Sequence, residues 1–238
     1  MWTRFMSARV WLVAASAFLA LVLLCGAVAL FRAWGDKDDP GSTAQPPAPQ
    51  SSAPASNCPS DAEQSVPTAA PPGLRWEPLG PVTLPYSSTA GPCKVTATTA
   101  AGYAHTPTGA LIAAAQVTGR VSVTTPIEVA TDTIAGQVLP GQARDQLLAD
   151  TRRRAGRPLT AEDAGRLTAF SVLSYSADTA VLSLALSNAA LAGQYVTLPV
   201  TVRWVDGDWR LVAPPGGSWD SSAAVTQVLD GYVEWGTG

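Results

Sequence analysis

Apolar positions fall into three regimes along the chain. From Val10 to Phe31 they run without interruption, VWLVAASAFLALVLLCGAVALF, and no charged side chain breaks them. A run of about 22 residues is long enough to cross a hydrocarbon core of roughly 30 Å as a helix. From Pro40 to Pro72 large apolar side chains all but disappear. From Gly73 onward they return, first at helical spacing and then in alternation.

The first regime predicts a transmembrane helix over residues 10–32. Trp2 and Trp11 lie near one end and Trp34 near the other, at interfacial positions. Arg4 and Arg9 on the short side place residues 1–9 in the cytoplasm and the remainder outside. A cleaved signal peptide is the competing reading, with Ala27-Val28-Ala29 as its small-residue site, but the apolar run is longer than a signal core needs. Leu24 ahead of Cys25 speaks against a lipoprotein. Each reading exports the rest of the chain, so the expected location is the cell membrane, single-pass, with the C-terminal domain outside the cytoplasm.

The second regime, residues 33–73, reads as a linker. Nine of the 33 residues from Pro40 to Pro72 are proline, and Ala, Ser and Gln fill most of the rest. Such a segment cannot build a core. As polyproline II it would reach on the order of 100 Å at ~3.1 Å per residue.

The third regime, residues 74–238, predicts one exported α+β domain. Its opening, LRWEPLGPVTLPYSSTAGP, is dense in Pro and Gly and reads as an extended lead-in with at most a short edge strand. Thr106 followed by Pro107 is a helix start, with Leu111, Ile112 and Ala115 on one stripe. A second helix is expected over Gly141–Ala155, its acids Asp145 and Asp150 preceding the run Arg152-Arg153-Arg154 in the sense that suits the helix dipole. The period then falls to two. Strands are expected at 167–175, 179–186, 194–205 and 208–212. Pro199 marks an edge or a bulge. Asp206-Gly207 is a two-residue hairpin turn. That turn pairs Val205 with Asp208, Trp204 with Trp209 and Val202 with Leu211, and it also opposes Arg203 to Arg210. Like charges directly opposite are unfavourable, so an acid or a bound partner should neutralise them. The tail around Val225, Val228, Leu229, Tyr232 and Trp235 is apolar enough to pack on the domain.

Composition and charge narrow the function. Charged residues make up 14% of the chain, and Gly and Pro contribute 20 each, which favours short strands and turns. Setting aside Arg4, Arg9 and Arg32 leaves 12 basic residues against 18 acids, a net charge of −6 beyond Arg32. Direct nucleic-acid binding is not expected of such a domain, because that binding rests on neutralising phosphates.

Candidate chemistry is sparse. His105, the single histidine, falls just before the helix cap and reads as a lead-in residue hydrogen-bonded to nearby backbone. No G-x-S-x-G elbow accompanies it. The pairs Glu162-Asp163 and Asp206/Asp208 read as solvated surface. The sequence therefore nominates no catalytic residue, no cofactor site and no metal site. Cys58 and Cys93, the two cysteines outside the membrane run, form a candidate disulfide in an oxidising compartment, with two free thiols as the alternative. Arg152, Arg153, Arg154, Arg203 and Arg210 are the candidate partner contacts, against the plainer reading of a solvated helix end and an internally neutralised ladder.

The phrases GLRWEPLG, LPYSSTAGP, GYAHTPTGAL, DWRLVAPPGG and GYVEWG resemble single-pass membrane proteins of actinomycete integrative and conjugative elements. More distantly, two helices ahead of an antiparallel sheet resemble the NTF2-like (cystatin-like) domains of VirB8- and TcpC-type conjugation proteins. The resemblance implies helices packed on a curved antiparallel sheet. It also implies a non-enzymatic, membrane-anchored envelope protein, a structural or assembly component of a conjugation or secretion-type machine. Its expected partners are the membrane through residues 10–32 and other envelope proteins or further copies of itself. The alternative is an extracytoplasmic, sensory domain that binds a ligand or the cell wall.

Overall fold

Thr106 and Pro107 open helix α1, Pro107–Arg120, in a computed structural model that describes residues 58–59, 63–155 and 164–236. Thr106 is extended, and its side chain accepts from the Gly109 N–H at 3.0 Å, satisfying one of the donors a helix start leaves free. The sequence shows one apolar stripe on this helix, yet Leu111, Ile112, Ala113, Ala114, Ala115 and Val117 are all fully buried. Small alanines allow this, because sheet and hairpin can both approach the helix closely. Thr106→Ala should cost about 1 kcal/mol, the usual value of an N-cap, read as a shift of the urea midpoint at constant slope.

Helices α2, Ile127–Gln137, and α3, Gln142–Arg154, follow. The chain then enters an antiparallel meander of β5 (Arg166–Tyr175), β6 (Thr179–Ser187), β7 (Tyr195–Val205) and β8 (Asp208–Leu211). Short strand β10, Val233–Glu234, adds outside β5, and β9, Ala224–Thr226, pairs with β7, completing six strands. The β7–β8 register is the one the turn predicts: Val205 opposite Asp208, Trp204 opposite Trp209, Arg203 opposite Arg210, Val202 opposite Leu211. Asp206 and Gly207 both take positive φ, 53° and 78°, as a turn matching strand twist requires. The core lies between α1 and this sheet, with Phe170, Leu182, Leu184, Trp209 and Leu211 fully buried against Leu111 and Ile112.

Pro199 sits inside β7, between the stretch paired with β9 and the stretch paired with β8. Its carbonyl turns away from β6 to accept from the Trp219 indole at 3.0 Å. In a strand the N–H and C=O of one residue point the same way, so the donor that proline lacks would have faced this gap and no ladder bond is lost.

Several expectations are corrected. The lead-in is a full hairpin, β1 (Leu74–Leu79) with β2 (Val82–Ser87), and a second small ribbon pairs β3 (Lys94–Val95) with β4 (Ala100–Ala101). Pro85 is tolerated in β2 because its carbonyl also faces outward, accepting from Gln116 Nε2 at 2.8 Å, so the missing N–H lies off the ladder. Helix α2 adds a third helix to the two expected from the sequence. In the tail Trp235 is buried, but Val225 and Val228 are exposed by 60% and 64%, because β9 lies on the outer edge of β7.

The expected fold class, a transmembrane helix followed by an NTF2-like domain, is corrected as well. Among the described residues no helix is long and apolar enough to cross a membrane. The longest of the described helices, α1, has 14 residues, or about 21 Å at 1.5 Å per residue, short of a bilayer core. The span expected at residues 10–32 and most of the linker at 33–73 lie outside the described residues, as do Glu162 and Asp163. The described architecture is three helices with one six-stranded and two two-stranded antiparallel sheets.

Candidate functional site

The β7–β8 hairpin carries Trp204 and Trp209 to the start of α1, where His105 meets them. The His105 ring stacks on Trp204, with centroids 4.0 Å apart and planes 7° apart, and it meets Trp209 edge-on at 5.7 Å. Its Nε2 bonds the Ala177 carbonyl in the β5–β6 turn, and its own carbonyl accepts from Gln64 Nε2 at 2.9 Å. The expected bond to nearby backbone is thus made to a turn 72 residues away. His105 clips three parts of the fold together, and the Trp209 indole adds a bond to the Ala104 carbonyl at 3.0 Å. Among the described residues, no group of three His, Cys, Asp or Glu could hold a metal ion.

Of the acid pair at the turn, Asp208 has an internal task. It accepts from the backbone N–H groups of Gly102 and Tyr103 at 2.9 and 3.1 Å, tying β8 to the segment before α1. Burial, with the Asp208 carboxylate adding, pushes the Tyr103 phenol well above its ordinary pKa. The neutral hydroxyl donates to the Ala100 carbonyl at 2.9 Å. Close by, Arg120 is only 1% exposed and has neutral partners: Gln116 Oε1 at 3.1 Å, the Thr98 carbonyl at 3.3 Å and the Tyr86 hydroxyl at 3.2 Å. A cation at the last turn of α1 suits the helix dipole. Its bond to Tyr86 in β2, made from the end of α1, braces the β2–α1 contact. Cys58 and Cys93 are joined as a disulfide, with Cα atoms 5.0 Å apart.

The five candidate arginines divide. Arg203 and Arg210 stand opposite each other on the β7–β8 ladder. Arg210 reaches Asp206 at 3.3 Å, whereas Arg203 is exposed and enters no ion pair among the described residues. Arg152 and Arg153 are exposed at the end of α3, and Arg153 pairs with Asp150. Arg154 lines a cavity, and it too enters no hydrogen bond or ion pair among the described residues.

That cavity is a cleft of about 340 Å³. Its walls are the α1–α2 connection, the first turn of α2, the last turns of α3 and the segment 217–219. Arg154, Ser122, Thr124, Ser218 and Trp219 converge on it, and Asp150 lines it while held by Arg153. Gly217 sets the wall spacing. Its φ is 75°, and a Cβ there would fall 2.4 Å from the Leu147 backbone nitrogen, so only glycine lets this turn lie on α3. The Trp219 indole is fixed by its bond to Pro199. At the far wall α2 begins at Pro126 with no side-chain cap.

The sequence reading reached Arg154 through the arginine run but missed the rest of this cleft. A signal was present: Pro126, then Ile127, Ala130 and Ile134 at helical spacing, with Glu128 in the first turn. Trp219 carried no comparable signal, because its place depends on the long-range bond to Pro199.

The family described as Domain of unknown function (DUF8175) matches residues 38–234, and the chain belongs to that family. No curated protein and no solved structure matches the chain.

Proposed function

We propose that this DUF8175 protein is an exported envelope protein that works by association, as a structural or assembly component of a conjugation or secretion-type machine. The observation that carries this reading is the opposed pair Arg203 and Arg210 on an exposed strand ladder, with a carboxylate for only one of them. Holding two like charges face to face costs stability. An acidic surface on a partner subunit would offset that cost and gain charge-assisted hydrogen bonds. The Cys58–Cys93 bridge supports export, since such bonds persist in oxidising compartments. In this reading the uncharged run from Val10 to Phe31 directs the export.

The test separates folding from association. Arg203→Thr removes the repulsion, so it should leave thermal stability unchanged or raise it by a few tenths of a kcal/mol. The same substitution should shift the protein on native gels of solubilised envelopes from a large complex to a small species. Arg203→Glu should do so more completely. Complexes of unchanged size in both variants would overturn the assignment of this surface.

A further inference from the structure

The cleft between α2 and α3 has no part in the association surface, since neither Arg203 nor Arg210 lines it. We infer that it is a binding site for a small oxyanion-bearing ligand, a carboxylate or phosphate carried on a sugar-sized frame. Four observations converge on that chemistry. The volume, about 340 Å³, lies at the lower end of what small-molecule sites enclose. Arg154 brings a guanidinium that nothing else among the described residues engages, and its planar fork matches the two oxygens of a carboxylate or phosphate. Asp150, the acid in the same wall, is occupied by Arg153 and does not neutralise Arg154.

Across the cleft, Pro126 precedes α2 and supplies no capping side chain. The first bond back to it comes from Ala130, so the N–H groups of Ile127, Glu128 and Val129 have no acceptor among the described residues. These donors add to the pull of Arg154 on a negative group. The remaining walls suit the frame that carries it. Trp219 offers an aromatic face held rigid by its bond to Pro199. Ser122, Thr124 and Ser218 offer hydroxyls, each still able to bond a hydroxyl of the ligand. The oxyanion then sits between Arg154 and the start of α2, and the frame lies along Trp219.

Glucuronate, glucose 6-phosphate and glucose separate the elements of this site when titrated into isotope-labelled protein followed by amide and indole NMR. The expected result is a saturable shift of the Ile127, Glu128, Val129 and Trp219 resonances with one or both charged sugars, and none with glucose. The sugar that binds more tightly identifies the oxyanion. Arg154→Gln should weaken that binding tenfold or more, whereas Arg166→Gln, an exposed arginine outside the cleft, should not change it. Equal binding of glucose, silence of both charged sugars at millimolar concentration, or unchanged affinity in Arg154→Gln would each overturn the inference. Unaltered spectra elsewhere in Arg154→Gln show that the variant remains folded.

Discussion

Replacing Trp209 by alanine is expected to cost about 3–5 kcal/mol, the usual range for a large aromatic removed from a core. The residue is fully buried. Its ring meets His105, Tyr175 and Trp204, and its indole holds the Ala104 carbonyl just ahead of the α1 cap. The loss therefore combines a cavity with one of the two bonds to that carbonyl, which keeps its bond from the Thr106 N–H at 2.9 Å. Trp209→Phe should keep most of the apolar contact and lose mainly the hydrogen bond, at about 0.5–1.5 kcal/mol. Denaturant unfolding of both variants checks the ranking. Equal costs would mean that the hydrogen bond, and not the ring volume, governs the site.

Cys58→Ser with Cys93→Ser is expected to lower stability by about 3–4 kcal/mol, from the entropy returned to the unfolded chain when a loop of this length opens. The two residues are separated by 35 positions, so the bridge closes a loop that contains the whole β1–β2 hairpin. That hairpin is held elsewhere by Leu84 against Gly119 of α1, by the Gln116 and Arg120 bonds to Pro85 and Tyr86 and by Trp76 against Trp235, so opening the bridge removes one of several attachments and lowers stability without unfolding the domain. Reductant should reproduce the effect in the natural chain and do nothing further to the double variant. A melting curve indifferent to reductant would contradict the account.

What could be read from the sequence follows from how local the governing interactions are. The α1 start at Thr106-Pro107 is written in adjacent residues, and so is the Asp206-Gly207 turn. That turn fixed the register of β7 and β8 down to the facing arginines. Pro199 announced an edge because the missing donor is a property of the residue itself. The β1–β2 hairpin was hidden for the opposite reason. Its prolines argue against a strand unless their N–H positions face away from the ladder, and that depends on Gln116, some 31 residues distant. The exposure of Val225 and Val228 was equally hidden, since it depends on which edge of β7 the tail joins. The candidate site shows the same division. Arg154 stands out in a run of three arginines, while the cleft it lines is made by α2 and by a turn whose closeness rests on Gly217.

The reading of this chain as an associating envelope protein is tested most directly in living cells. A photoreactive residue placed at Thr179, which lies opposite Arg203 on the neighbouring strand, samples whatever covers that surface. Mass spectrometry of the trapped adducts should identify subunits of a transfer or secretion machine, and Arg203→Glu in the same chain should abolish them. Adducts confined to wall polymer, or no adducts at all, would contradict the account.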